Sequence, residues 1–412
     1  MKKKLLFLCC GVLWLSLLTG CGSKKDAGSD KDTGNPTQTE TVGETVATGE
    51  VPASERVETE EAVTQPVYGN DPNNLFQMDN TVCFGNGRVY YINFSDEVAS
   101  FALDGSDAAV HGVIGNLSEG SYGGSALNWY NGKVYYMITQ YREDYTRFVE
   151  VRSMDVETGE ETQIAVYDNS DNPTSNSMLI IGDNLFYSCY DTNTKTTSVT
   201  VQNLITGESN LILEMTTSSA GLGHAAFASD GANLYLYIYN GFYSVYKMPI
   251  SAVYDSEPSC EQVAVVSLNS TVLTGDGMYT DHTDGNTHES SYVFYAYENS
   301  GENWPYETVL DHVAADGDTG DEEGIIRNLI WYSTKWMLGD ALVSEAQFNR
   351  NLYYASSVDY TQSVSVSGLS FEQSAQNGTG LYAGEYEDVL YLILEDENGV
   401  SFHTLAADGT YK

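Results

Sequence analysis

The hexapeptide NGRVYY at residues 86–91 comes back almost unchanged as NGKVYY at 131–136, with looser echoes at 183 (DNLFYS), 232 (ANLYLY), 350 (RNLYYA) and 387 (EDVLYL). Asn-Gly tolerates positive φ at both positions and so turns one strand into the next. After Arg88 or Lys133 the residues are apolar or aromatic without interruption. A strand with one solvated face would alternate, so this one must be covered on both. Val89 and Tyr91 point one way and Tyr90 and Ile92 the other, each pair against a different neighbouring sheet. The repeat is a turning and packing device, and it predicts sheets stacked side by side.

The surrounding residues complete the unit. Residues 125–167 read as four strands, ALNWY, KVYYMIT, RFVEVRSMDV and TQIAVY, separated by Asn131-Gly132, a polar loop and Glu157-Thr158-Gly159-Glu160. The next stretch repeats the grammar as SMLIIG, LFYSCYD, TSVTVQNLI and NLILEM. The stretch before it reads TVCFG, RVYYINF, ASFALD and AAVHGVI. Four short strands at a period of about 40 to 50 residues are the pattern of β-propeller blades. No stretch sustains the 3.6-residue periodicity that a helical solenoid needs. The fold class is therefore all-β. Second strands counted from residues 88, 133, 185, 233, 291, 351 and 389 predict a β-propeller of seven four-stranded blades over residues 68–412, with six or eight as the alternatives. The fifth unit is the longest, with insertions around 281–290 and 311–324. The last unit shows three strands, and residues Leu75 to Met78 are expected to add the fourth and hide two open edges.

The NG-[RK]-VYY cores, the outer turns DVETGE and LITGE, and the segments ALDGS and AADGT resemble the lipoprotein-receptor-like propeller domains of bacterial lipoproteins, a family of unknown function. The resemblance runs over residues 68–412. The chain lacks the Tyr-Trp-Thr-Asp tetrad of receptor propellers, so the resemblance implies a fold and no ligand.

The first 67 residues have another character. Three lysines precede an uncharged apolar run from Leu5 to Leu18, which marks a secretory signal over residues 1–20. Fourteen residues at 1.5 Å rise span roughly 21 Å, short of a ~30 Å hydrocarbon core. The run ends Leu18-Thr19-Gly20-Cys21, which resembles the bacterial lipobox. The resemblance implies cleavage before Cys21 and lipid attachment to its thiol, hence a partner in the bilayer and a lipid-anchored, extracytoplasmic location. Residues 22–67 contain no aromatic residue and no Leu, Ile or Phe. Such a Thr-, Glu- and Gly-rich stretch is expected to be a disordered tether with an end-to-end distance of roughly 35–40 Å, suited to a Gram-positive cell surface.

Charge excludes one class of partner. The chain carries a net charge of −40, and loss of the first 20 residues removes three lysines and takes it to −43. Phosphate backbones would be repelled, so nucleic acid is excluded. Cys83, Cys189 and Cys260 remain after processing, odd in number and without a C-x-x-C, and read as buried free thiols.

Candidate sites are sparse. Asp281, His282, Asp284, His288 and Glu289 collect histidines with carboxylates, a weak metal-site pattern whose plainer reading is a solvated polar loop. Asp316, Asp318 and Asp321 offer oxygen ligands for calcium as a weak cofactor candidate, but Asp321 stands where a calcium-binding loop of the EF-hand type needs glycine. Tyr141, Tyr145, Trp304, Tyr306, Trp331 and Trp336 lie outside the repeated cores, in or near loops, where they cap blade ends or stack on a ligand. No Gly-x-Ser-x-Gly elbow and no phosphate-cradling loop occurs. No catalytic residue is assigned. The expected role is a binding module for a protein or glycan at the cell envelope. The alternatives are a carbohydrate-active enzyme with paired carboxylates at the central mouth and a structural module of an envelope complex.

Overall fold

In the structure, a computed structural model, the described residues are 69–70, 81–118, 121–168, 173–216, 225–239, 243–266, 271–283, 290–300, 304–310, 326–331, 336–344, 347–354, 362–364, 380–396 and 398–406. The signal segment with Cys21, the tether and residues 75–78 lie outside them. All described residues belong to one unit, Gln65–Lys412.

The chain folds into antiparallel sheets whose strands follow one another in sequence order, an all-β propeller in which the described residues form six four-stranded blades. The first holds β1 (Val82–Gly85), β2 (Arg88–Ile92), β3 (Glu97–Ala102) and β4 (Ala109–Val113). The second holds β5 (Tyr122–Tyr130), β6 (Lys133–Tyr141), β7 (Arg147–Asp155) and β8 (Glu161–Tyr167). The third holds β9 (Pro173–Ile181), β10 (Asn184–Asp191), β11 (Thr196–Asn203) and β12 (Ser209–Thr216). In the fourth are β13 (Ala225–Ser229), β14 (Asn233–Tyr239), β15 (Tyr243–Pro249) and β16 (Glu261–Val266). In the fifth are β17 (Thr271–Leu273), β18 (Gly277–Thr283), β19 (Ser290–Ala296) and β20 (Glu307–Leu310). The sixth is built from β21 (Ile326–Trp331), β22 (Trp336–Ser344), β23 (Gln347–Tyr354) and β24 (Gln362–Val364). A C-terminal sheet of β25 (Gly380–Tyr386), β26 (Val389–Asp396) and β27 (Gly399–Ala406) has three strands. The expectation of seven four-stranded blades is thus corrected to six.

Two of the counted second strands also move. The Tyr-rich segments at 291 and 351 lie in β19 and β23, which are third strands. The physical reason is that third strands such as β7 are also covered on both faces, so an apolar run does not tell a third strand from a second.

The first strands lie innermost. In the series β25, β1, β5, β9, β13 and β17, each packs against the next. Asparagine side chains bridge them. Asn128, fully buried on β5, donates to the Met178 carbonyl (3.1 Å) and accepts from the Ile180 N–H (2.9 Å) of β9. Asn70 donates to Val82 (2.8 Å) and to Leu127 (2.6 Å), so it ties β1 to β5.

The repeated hexapeptides sit as their sequence requires. Asn86 and Gly87 have φ of 49° and 68°, and Asn131 and Gly132 have 47° and 77°. Tyr90 and Ile92 pack with Leu127, Val134 and Tyr136 of the second blade. Val89 and Tyr91 pack the other way, with Ile393, Tyr382 and Phe402 of the C-terminal sheet. Gly85 is required by a close approach: a Cβ there would lie 2.3 Å from the Trp129 ring, which itself stacks on Tyr90 at 4.8 Å.

A bulge recurs at one step of the third-to-fourth strand pairing in the first five blades, after Val98, Val151, Val199, Val245 and Tyr292. The extra outer-strand residue is His111, Ile164, Ile212, Val263 or Val309 in turn. Each bulge adds twist to the outer pair and helps it follow the curvature of the disc. Cys83, Cys189 and Cys260 are free; the first two are buried and the third only partly so, with burial pushing its thiol up to about 11.

Candidate functional site: a cleft between the second and third blades

Blades that radiate from an axis diverge, so the space between neighbours widens outward. Close packing then demands larger side chains on the outer strands. In the second, third and fourth blades one register position shows how the gap is met: the third-strand residue opposite the fourth residue of the second strand, which in the first and fifth blades is Ala99 or Val293. In those three it is Arg152 opposite Tyr136, Thr200 opposite Tyr187 and Tyr246 opposite Leu236. Tyr246 fills its gap and packs with Met248 against the third blade.

Arg152 fills the gap between the first and second blades with charge. Its Nη2 donates to Glu150 Oε2 at 2.5 Å, and its Nη1 donates to Glu161 at 3.1 Å and to the Gly115 carbonyl at 2.6 Å. Gln163 and Gln140 donate to Glu150 at 2.6 and 2.8 Å, and Tyr136 donates to Glu161 Oε1 at 2.6 Å. Gln140 Oε1 in turn accepts from the Ser118 backbone N–H and from the Ser118 and Ser121 hydroxyls. Burial opposes the Arg152 charge, but the bonds and charges of the two glutamates outweigh it and raise the guanidinium further. Burial first, then Glu161, pushes the Tyr136 phenol far up. Every group here has its partners, so the cluster is a strut that ties Gly115, Ser118 and Ser121 to the second blade.

Thr200 is too short for the same task. With Thr196 and Ser198 it forms a row of hydroxyls on the face of β11 that looks toward the second blade. A cleft of about 490 Å³ remains. Its walls are Val166 and Tyr167 of β8, Tyr187 and Asp191 of β10, Thr194 in the following turn, the β11 row, and Ser209, Asn210, Leu211 and Glu214 of β12. Tyr167 Oη lies 3.2 Å from Ser198 Oγ across the gap. Burial pushes Tyr187 up to about 12 and raises Tyr167 as well, with Asp191 and Glu214 adding to the latter, so both phenols stay protonated donors near neutrality. Asp191 accepts from the backbone N–H groups of Asn193 and Thr194, which shapes the turn. Asn210 turns its amide to the Val253 and Asp255 carbonyls and contributes wall, not recognition. Sequence reading missed this cleft. The signal was the run TTSVTVQN, hydroxyls at alternate positions in a strand whose counterpart reads RFVEVRSMD.

The sequence-derived candidates fall as follows. Asp281 and His282 lie in β18, not in a loop as expected. His282 Nδ1 is 3.1 Å from Tyr295 Oη, and its ring packs on Tyr306 at 4.3 Å. Asp284, His288, Glu289, Asp316, Asp318 and Asp321 lie outside the described residues. Among the described residues no group of three histidines, cysteines or carboxylates is placed to hold a metal. Trp331 ends β21 and Trp336 opens β22, so neither is in a loop. Trp304 donates its indole N–H to Ala296 at 2.8 Å and packs on Tyr295. Tyr141 ends β6, with the Arg147 guanidinium 5.9 Å from its ring centroid. Tyr145 is 84% exposed at φ 65°, an uncommon geometry for an aromatic residue.

A serine–histidine pair was also missed. His111 occupies the bulge site that Ile or Val fills in the next four blades. Its Nδ1 lies 2.8 Å from the Val156 carbonyl, which can only accept, so in the neutral ring Nε2 accepts from Ser100 at 2.8 Å. This has the outline of a base and a nucleophile. However, Ser100 is 1% exposed and its Oγ also accepts from Arg88 Nε at 2.8 Å. The pair is packing.

The fold is similar to that of a prolyl endopeptidase, at 13% identity over 82% of this chain and 50% of that one, with a TM-score of 0.52. It is also similar to the β-propeller domain of the Trilobed protease from Pyrococcus furiosus, at 11% identity over 72% and 84% with a TM-score of 0.44. An oligogalacturonate lyase in complex with manganese matches at 11% identity over 67% and 76%, with a TM-score of 0.43. At these identities the likeness is one of fold alone. No family model and no curated protein matches the chain.

Proposed function

We propose that this chain is a lipid-anchored extracytoplasmic protein whose propeller is a binding module for a protein or glycan at the cell envelope. The lipobox-like Leu18-Thr19-Gly20-Cys21 supports the anchor, and the long polar stretch after it supports a spacer. The observation that carries the binding reading is the cleft between the second and third blades. Its size falls within the roughly 300–1,000 Å³ of small-ligand sites, and it exists because β11 presents hydroxyls where the neighbouring blades present Arg152 and Tyr246. The enzyme alternative is less well supported. A two-carboxylate mechanism needs a facing pair, and among the described residues of the six innermost strands that pack in series, Glu385 is the single carboxylate.

One fractionation experiment tests both halves. Expressed in a bacterial host, the chain should sediment with membranes, and Cys21→Ser should release it. The released protein should co-sediment with purified envelope, and Thr200→Tyr should lower the bound fraction at least severalfold. Membrane association that survives Cys21→Ser removes the anchor. Envelope binding that ignores Thr200→Tyr removes the cleft.

A further inference from the structure

The lining of the cleft says which chemistry it takes. Thr196, Ser198 and Thr200 stand two residues apart on one face of β11, so their hydroxyls form a row at roughly 7 Å spacing. Each hydroxyl can donate one hydrogen bond and accept others. Tyr167 faces the row from the second blade and Tyr187 stands beside Thr200 on the same face of the third, and both remain protonated and able to donate. A surface of groups that both give and receive hydrogen bonds matches a ligand of the same kind. The row's present bonds stay within the protein, between Ser198 and Tyr167 at 3.2 Å and from Thr196 to Thr194 and Thr216 at 3.5 and 3.2 Å, and an apolar ligand would use none of its remaining hydrogen-bonding capacity.

Charge narrows the class. Glu214 stands exposed on the wall formed by β12 and no lysine or arginine lines the cleft, while Asp191 at the same end is buried and Arg147 reaches the adjacent Thr192 hydroxyl at 3.5 Å. With a net charge of −40 on the whole chain, an anionic ligand meets repulsion in the site and on the approach. An uncharged polyol meets neither, and an exposed carboxylate is a strong acceptor for its hydroxyls.

We propose that the cleft between the second and third blades binds an uncharged saccharide, held along the β11 hydroxyl row between Tyr167, Tyr187 and Glu214. This rests on the reading of the cleft as the binding site.

The test uses the full chain in a detergent without a sugar headgroup. Calorimetry and saturation-transfer NMR are run with maltotriose, cellotriose, xylotriose and tri-N-acetylchitotriose as neutral probes and trigalacturonate as the anionic one. At least one neutral trisaccharide should bind with a Kd of about 1 mM or tighter. Thr200→Tyr, which fills the cleft, should weaken it at least tenfold, and Ser198→Ala should weaken it by a smaller factor. No neutral binding up to about 10 mM overturns the proposal. So does trigalacturonate binding as tightly as the neutral probes. If Thr200→Tyr blocks trigalacturonate, the site stands and the ligand class is wrong. A neutral trisaccharide bound equally by Thr200→Tyr shows instead that the cleft is not the site.

Discussion

Replacing Arg152 by threonine, the residue the third blade carries at the same register position, is expected to destabilise the protein by about 3–5 kcal/mol. Glu150 and Arg152 are 7% and 6% exposed, and Glu161 packs onto the same guanidinium. Removing the cation leaves the buried Glu150 carboxylate, and the partly exposed Glu161, with no positive partner. It also strands the Gly115 carbonyl, which lies 2.6 Å from Nη1. Glutamines 140 and 163 and Tyr136 still donate to the glutamates, so the loss is not the full cost of two bare charges. Chemical denaturation followed by tryptophan fluorescence reads the difference as a shift in midpoint at unchanged slope. A loss below about 1 kcal/mol would mean that the pair is hydrated, as exposed pairs are.

Tyr136→Ala is expected to cost a similar amount, about 3–5 kcal/mol, and Tyr136→Phe about 1.5–3. The tyrosine is fully buried and packs with Tyr90, Ile92 and Val98 across the first blade interface. Truncation opens a cavity between two sheets that cannot collapse, because each is held by its own ladder. The phenylalanine keeps the packing and loses only the 2.6 Å bond to Glu161. Tyr135 points the opposite way, into the cluster with Met178 and Tyr187 of the third blade. Its alanine variant should therefore add to that of Tyr136 nearly independently.

The repeat that predicts this packing was legible because the chemistry is local. Asn131-Gly132 fixes a hairpin, and the uninterrupted apolar run after it admits no solvated face. The strands of the first three units follow from the same grammar and match β1 to β12 closely. The grammar failed where two positions share one environment: SSYVFYA and QFNRNLYY look like second strands because third strands are also sandwiched.

The candidate site was less legible. Whether Thr200 fills or leaves a gap depends on its being opposite Tyr187 and facing Tyr167 of another blade, and no local pattern carries that register. The buried charges could have been found. Glu150 and Arg152 are two apart, hence on one face, in a strand expected to be covered on both, and such a pair must be matched by partners from elsewhere. The plainer reading of residues 281–289 as a solvated loop does not hold for Asp281 and His282, which lie in β18, where His282 meets the Tyr295 hydroxyl.

A single register position is filled by Arg152 and Tyr246 in two gaps and left open at Thr200 in the one between them. Thermal unfolding of Thr200→Tyr measures this most directly. A tyrosine there would bury apolar surface worth about 1.5–3 kcal/mol and give up one hydrogen bond worth about 1. The predicted result is a melting temperature equal to or above that of the unmodified chain, in contrast to the fall with Arg152→Thr. A fall as large as that of Arg152→Thr would show that no space separates the two blades, and would contradict the account.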